Sequence, residues 1–82
     1  MNYKHLLSPG MKVYFINFNN VIRNTLPKLV HTFEGYTSED ETYCVLRRPT
    51  GRLEEGCNVN WVIPAENGEK YLPELKNYFK SL

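Results

Sequence analysis

The sequence lacks a long hydrophobic run, and this absence limits where the chain can act. No apolar stretch approaches the roughly 18 residues that a membrane-spanning helix needs. The opening residues, MNYKHLLSPGMK, contain no extended apolar segment of the kind that secretory signals carry. With Met1 at its start, the chain fits an intracellular product. We therefore expect a cytoplasmic protein that does not associate with membranes.

An excess of charge of one sign is also lacking. Ten Lys and Arg residues stand against nine Asp and Glu residues, which leaves a formal net charge of +1. Dedicated nucleic-acid-binding domains usually have a pI above about 9, so the overall charge does not favour that class. The short acidic run Glu39, Asp40 and Glu41 is typical of a solvated loop tip.

Soft metal ligands are scarce. The chain contains two cysteines and two histidines, and none of them forms a C-x-x-C or H-x-x-x-H pair. Cys44 and Cys57 fall on two predicted neighbouring strands, at a spacing that permits a disulfide. A reducing cytoplasm favours the alternative, two buried free thiols. We expect no metal site.

Catalytic and nucleotide-binding motifs are missing as well. There is no G-x-x-x-x-G-K-[ST] and no G-x-G-x-x-G. His31 alternates with Leu29 and Phe33, which predicts a buried or edge histidine rather than a catalytic base. The acidic residues cluster in turns, so no carboxylate pair frames a pocket. We expect neither enzymatic activity nor a cofactor.

The most informative stretch that is present covers residues 42–64, TYCVLRRPTGRLEEGCNVNWVIP. This stretch predicts two strands joined by a charged turn. Period-2 alternation predicts that its second strand has one apolar face. Trp61 is the only tryptophan, and its large apolar area places it in the predicted centre of the core. The residues on this face are Cys57, Val59, Trp61 and Ile63.

The other strand signals lie on both sides of a segment that is harder to interpret. Residues 11–18 predict a strand with Val13 and Phe15 on one face and Tyr14, Ile16 and Phe18 on the other, so both faces should be covered. Residues 19–28 predict a long loop, with or without a short strand at 21–23. Further predicted features are strands at 29–36 and 42–48, a turn at Pro49-Thr50-Gly51, and a bulge at Gly56.

After Pro64 the apolar period becomes helical. Leu75, Tyr78, Phe79 and Leu82 are spaced i, i+3, i+4, i+7, which predicts an amphipathic helix. We expect this helix over 73–82, with Pro73 in the first turn, or from a start near residue 69. The predicted single domain thus has a lead-in at 1–10, a β-barrel at 11–64 and a helix at 69–82.

Three segments give the chain a resemblance to a known architecture: Pro9-Gly10-Met11-Lys12-Val13 as turn and opening strand, the hairpin at 44–61, and Val62-Ile63-Pro64. Together they resemble the SH3-like small barrel of KOW and Tudor modules. The resemblance implies a mainly β fold, a barrel of four to five antiparallel strands capped by the C-terminal helix. The paired tryptophan and acidic arginine-binding loop of peptide-binding SH3 domains are absent, so proline-rich ligands are not expected.

The strongest charge feature is the turn that bears three arginines. Their guanidinium groups could grip phosphates or a partner's carboxylates, or Arg47 and Arg48 could pair locally with Glu54 and Glu55. Nearby polar residues could form an open sheet face, unless the C-terminal helix covers it. The candidate partner-binding residues are Arg47, Arg48, Arg52, Tyr43, Asn58 and Asn60.

These observations predict a small non-catalytic cytoplasmic binding module that docks on a larger protein as an accessory or inhibitory subunit. Short stand-alone chains of this kind are common among phage and mobile-element products. The alternative is RNA or DNA binding through the arginine-rich hairpin turn. A third hypothesis is a homodimer formed by pairing of exposed strand edges.

Overall fold

A single antiparallel sheet and two helices make up the fold. The computed structural model describes residues 3–80. Its five strands have the order β4-β3-β2-β1-β5, which confirms a mainly β fold with a C-terminal helix. The elements are a 3-10 turn at Lys4–Leu6, β1 Lys12–Phe15, α1 Phe18–Arg23, β2 His31–Tyr36, β3 Tyr43–Arg47, β4 Leu53–Asn58, a second 3-10 turn at Val59–Trp61, β5 Val62–Pro64 and α2 Gly68–Lys80.

The sheet is open, so the predicted closure into a barrel is wrong. Strands β4 and β5 are its two edges and do not pair with each other. The reason lies in the second 3-10 turn between them. The Asn58 side chain accepts a hydrogen bond from the Asn60 N–H at 2.9 Å, which caps this turn and ends the β4 ladder.

One hydrophobic cluster fills one face of the sheet. Phe33 and Leu46 lie opposite each other on β2 and β3, and both are fully buried. A bulge beside Gly35 then shifts the register, so that Tyr36 turns towards Phe33 with the two ring centroids 5.2 Å apart. Strict alternation along β2 would place Tyr36 on the opposite face from Phe33. The buried members are Val13, Phe33, Cys44, Leu46, Cys57, Val59 and Val62.

A second cluster packs the helices against the other face of β1 and β5. Val13 faces the first cluster while Ile16 and Tyr14 face the second, which confirms that both sides of β1 are covered. Phe18 departs from the prediction, because it begins α1 and is 66% exposed. The buried members of the second cluster are Tyr3, Ile16, Val21, Ile63, Leu72 and Leu75.

Trp61 does not occupy the centre of the core. It lies in the second 3-10 turn, half-buried, and stacks on Phe79 of α2 with the ring centroids 4.2 Å apart and the planes at 15°. The turn also breaks the predicted alternation. Val59 packs in the first cluster whereas Ile63 packs in the second, so the expected common face from Cys57 to Ile63 is wrong.

The segment predicted to be a loop contains the helix α1. Asn17 accepts a hydrogen bond from the Asn20 N–H at 2.9 Å, and the Asn20 side chain accepts one from the Asn17 N–H at 3.0 Å. This reciprocal capping starts the helix. Asn24 ends it in the left-handed region, with φ of 54°. The strand predicted to reach Phe18 therefore stops at Phe15.

The C-terminal helix starts at Gly68, in agreement with the earlier of the two predicted starts. Pro73 therefore lies inside the helix and not in its first turn. Leu72 and Leu75 are buried, and Phe79 is half-buried against Trp61. Leu82, the last residue of the predicted stripe, is outside the described residues. No helix within residues 3–80 is long and apolar enough to cross a bilayer.

The lead-in at 1–10 also contributes to the core. Tyr3 is buried in the second cluster, and its hydroxyl donates to Glu74 Oε2 at 2.9 Å. Its ring centroid lies 4.8 Å from that of Tyr71. Burial, followed by the neighbouring Glu74 carboxylate, raises the pKa of Tyr3 well above its usual range.

Cys44 and Cys57 are direct cross-strand neighbours in the β3–β4 pair, as predicted. Both are buried free thiols in the structure. Burial, with a smaller contribution from Cys57, raises the pKa of Cys44 to about 12. Burial also raises the pKa of Cys57. Both groups are therefore protonated at neutral pH, which suits an inert position in the core.

We expect alkaline conditions to destabilise the fold through Cys44. The unfolded thiol ionises near its ordinary pKa of 9.0 and the folded thiol near about 12. Between these values the unfolded state binds fewer protons than the folded state. The contribution of the Cys44 thiol to the free energy of unfolding is therefore fully present below pH 9 and decreases as the pH rises towards 12. Denaturant titrations should show a steepest loss of about 1 kcal/mol per pH unit from this group. The slope should be shallower in Cys44→Ala, and equal slopes in the two proteins would contradict this explanation.

Gly68 is expected to tolerate no side chain. A Cβ at this position would lie 2.9 Å from Tyr14 Cε2 and 3.4 Å from Leu26 Cδ2. Although alanine normally favours a helix over glycine, Gly68→Ala should lower the free energy of unfolding by about 1–3 kcal/mol through overpacking. Denaturant unfolding tests this, with Glu69→Ala at the adjacent exposed position as the control. A stabilised Gly68→Ala protein would refute the prediction.

Candidate functional site

The arginine-bearing turn forms as predicted. The Gly51 N–H donates to the Arg48 carbonyl at 2.8 Å, which closes the turn around Pro49 and Thr50. Gly51 has φ of 93°, a conformation that glycine adopts easily. The Arg48 N–H donates in return to the Arg52 carbonyl at 2.8 Å. The turn therefore fixes where β3 ends and β4 begins.

Two of the three guanidinium groups pair with carboxylates of the same chain. Arg48 Nε donates to Glu54 Oε1, which is one of the predicted local pairs. Arg47 pairs with Glu34 on β2, not with Glu55, at a distance of 3.3 Å from Nε to Oε2. Arg52 is exposed and makes no ion pair within residues 3–80. Charge on this turn is thus largely neutralised locally.

Three of the six candidate residues, Tyr43, Arg47 and Asn58, share one surface of the sheet. Tyr43 lies opposite Asn58 and Arg47 opposite Leu53, so these residues share the outer face of the β3–β4 pair. Helix α2 packs on α1 and β5 and leaves this face open, with Tyr43 45% exposed. Asn60 is half-buried in the second 3-10 turn that Asn58 caps.

Arg48 points to the other side of the sheet, into a groove of about 500 Å³. We call it the His31 groove. Strands β1, β2 and β4 form its walls together with the second 3-10 turn and the start of α1. Five elements therefore supply its lining, and they come from well-separated parts of the chain around residues 15–18, 31 and 48–61. The lining residues are Phe15, Ile16, Asn17, Phe18, His31, Arg48, Glu54 and Trp61.

His31 is a buried histidine, as predicted, but its environment is unusual. It is only 6% exposed, and neither ring nitrogen has a hydrogen-bond partner within residues 3–80. Its Nε2 lies 3.6 Å from Glu54 Oε2, which is too long for a hydrogen bond. The Phe15 ring meets the imidazole edge-on at 6.3 Å. Because buried polar atoms nearly always find partners, the unpaired imidazole marks the groove as a candidate binding site.

Two further grooves adjoin the His31 groove. A second groove of about 550 Å³ shares Phe15, Asn17 and His31 with it and extends to Lys28. A third, of about 200 Å³, lies between α1 and α2. It is lined by Phe18, Val21, Ile22, Phe79 and the aliphatic parts of two lysines, Lys76 and Lys80.

Apolar side chains connect these grooves into one surface. Phe18 belongs to both the first and the third groove, and Trp61 stacks on Phe79 between them. Ile22 lies one helical turn from Phe18 and is 55% exposed. We call this surface the apolar face: Phe15, Phe18, Ile22, Trp61 and Phe79. The interpretation of residues 19–28 as a loop hid it, although the spacing of Phe18 and Ile22 carried the signal.

The apolar face has a basic border. Four cations line the three grooves, Lys28, Arg48, Lys76 and Lys80, against the single carboxylate of Glu54. That carboxylate already pairs with Arg48. The surface therefore carries a net positive charge, although the chain as a whole is nearly neutral.

The His31 groove is lined by aromatic rings, an imidazole, a guanidinium and a carboxylate. The lining of the His31 groove includes no Ser, Thr, Cys or Lys that could serve as a nucleophile beside His31. Within residues 3–80 no three His, Cys, Asp or Glu side chains converge to hold a metal ion. Aromatic rings, an imidazole and a guanidinium remain, a set that is common in interface anchors.

Family models, curated proteins and solved structures were each compared with this chain, and none of them matches it.

Proposed function

We propose that this chain is a small non-catalytic binding module that docks on a larger protein as an accessory or inhibitory subunit. The observation that carries the proposal is the apolar face. Phe18 is 66% exposed and Ile22 55% exposed, side by side on α1. Contiguous exposed apolar side chains with a polar border are typical of protein interaction sites.

An SH3-like arrangement is the fold that we propose behind this function. Strands β1 to β4 pair in sequence order and β5 returns to pair with β1, and this order supports the proposal. A fold of this type does not by itself assign a function. The docking role depends instead on the side chains of the apolar face.

A protein partner fits this surface better than a small molecule does. The grooves are open and connected, and they extend from His31 on β2 to Phe79 on α2. Aromatic and arginine side chains are enriched at the energetic centres of protein interfaces. The free thiols of Cys44 and Cys57 favour the reducing cytoplasm as the compartment in which docking takes place.

Docking should depend on Phe18. Phe18→Asp removes the most exposed ring, and an acidic residue in the first turn of α1 is compatible with the helix. In affinity capture from nuclease-treated lysate, wild-type protein should retain one stoichiometric protein partner, and Phe18→Asp should weaken retention about tenfold or more. Leu53→Asp is the matched control, because Leu53 is an exposed apolar residue on the opposite face of the sheet.

Three outcomes of that capture would count against docking through the apolar face. The first is the absence of any stoichiometric partner, and the second is equal retention by the wild-type and Phe18→Asp proteins. The third is retention of further copies of this chain alone, which sedimentation would reveal as a homodimer formed by the free edges of β4 or β5. Circular dichroism of both variants should match the wild-type spectrum, which checks that they are folded.

Nucleic-acid binding through the arginine turn is the alternative function. The pairing of Arg47 with Glu34 and of Arg48 with Glu54 reduces the positive charge available for phosphates. We therefore expect no strongly salt-dependent binding of single-stranded RNA or DNA in fluorescence anisotropy. A log–log salt slope of about −2 to −3, lost in Arg48→Glu, would instead establish the nucleic-acid function.

A further inference from the structure

The wall of the His31 groove is part apolar and part polar, and its polar members are Asn17, His31, Arg48 and Glu54. Phe15, Phe18 and Trp61 present aromatic rings to its interior. Rings of this kind favour another aromatic ring, stacked or edge-on, as their partner. Among these, His31 is the buried polar residue, and its two ring nitrogens have no hydrogen-bond partner within residues 3–80. An occupant that suits both parts needs an apolar ring and a hydrogen-bonding tip.

The charges beside His31 restrict what that tip can be. The Arg48–Glu54 ion pair lies beside His31, with Glu54 Oε2 at 3.6 Å from His31 Nε2. A carboxylate would compete with Glu54 for Arg48, and an ammonium group would compete with Arg48 for Glu54. A neutral hydroxyl avoids both penalties. It both donates and accepts, so it matches an imidazole nitrogen whether or not that nitrogen carries a proton.

The border of the surface restricts what surrounds that side chain. Lys28 lines the adjoining groove that shares His31, and Lys76 and Lys80 line the third groove on the other side of Phe18. The one carboxylate of the surface, Glu54, is engaged by Arg48. Complementary charge on a partner is therefore negative and lies on both sides of the groove.

We propose that the His31 groove binds a tyrosine side chain presented by an acidic segment of the partner protein. The phenol ring lies among Phe15, Phe18 and Trp61, and its hydroxyl pairs with His31. Carboxylates that flank the tyrosine face the lysines of the border. This inference rests on the proposed docking function and names the chemistry that the apolar face recognises.

The first test uses a short synthetic peptide in which one tyrosine is flanked by acidic residues on both sides. Trp61 is the only tryptophan and lines the groove, so its fluorescence reports occupancy directly. Replacing the peptide's tyrosine with phenylalanine should weaken binding about five- to tenfold, because the imidazole loses its partner. Replacing the acidic flanks with lysines should weaken it about tenfold or more. Absence of binding, or equal binding of the tyrosine and phenylalanine peptides, overturns the proposal.

The second test addresses His31 itself. His31→Phe keeps a ring of similar size and removes both nitrogens, so the tyrosine and phenylalanine peptides should bind this variant equally. Retained preference for tyrosine would show that another group recognises the hydroxyl. A measurement on wild-type protein makes the result independent of the variant's folding: peptide addition should shift the ring-nitrogen NMR signals of His31, and unchanged signals would contradict the proposed contact.

The third test uses matched charge reversals. Lys28→Glu should weaken binding of the acidic tyrosine peptide at least about fivefold, whereas Arg52→Glu, the same change at the arginine turn, should alter it less than about twofold. A larger loss of affinity in Arg52→Glu than in Lys28→Glu would place the acidic segment at the arginine turn and overturn the inference.

The inference and the docking function can fail separately. Capture of a partner protein that depends on Phe18 but shows no preference for tyrosine would refute this inference alone and leave the docking function intact.

Discussion

The capped 3-10 turn at Val59–Trp61 is the constraint on which the rest of the structure depends. The hydrogen bond from the Asn60 N–H to the Asn58 side chain interrupts what would otherwise be one continuous strand. The chain leaves the β4 edge and joins β1 at the far side of the sheet as β5. The turn also brings Trp61 into the wall of the His31 groove.

The same turn connects the two hydrophobic clusters. It places Val59 and Val62 in the first cluster and Ile63 in the second. It also directs the Trp61 ring onto Phe79, which holds the end of α2 against the sheet. An offset or stacked aromatic pair contributes about 0.5–1.5 kcal/mol beyond its buried area, a useful amount in a domain this small. The wall of the groove and the anchoring of the helix therefore share one side chain.

Much of the fold follows from periodicity in the sequence. The alternation at His31 and Phe33, the turn closed by Gly51, the bulge at Gly56 and the helical stripe through Leu75 all have local causes that a sequence reveals. The predicted loop at 19–28 and the predicted common face from Cys57 to Ile63 are wrong where an asparagine side chain binds nearby backbone. Such capping at Asn17 and at Asn58 overrides the apolar pattern that follows it. Within the candidate site, the Arg48–Glu54 pair could be predicted from the sequence because both residues flank one turn. The His31 groove could not be predicted, because its lining comes from five separate elements.

The contact between the lead-in and α2 has a consequence for the integrity of the whole chain. The Tyr3 ring packs against Tyr71 at an interplanar angle of 54° and its hydroxyl donates to Glu74, while Lys4 lies 3.7 Å from a Glu41 carboxylate oxygen. The two terminal segments thus support each other and cover the same core. Trimming either of them would uncover apolar surface belonging to its neighbour, so neither behaves as a dispensable tail.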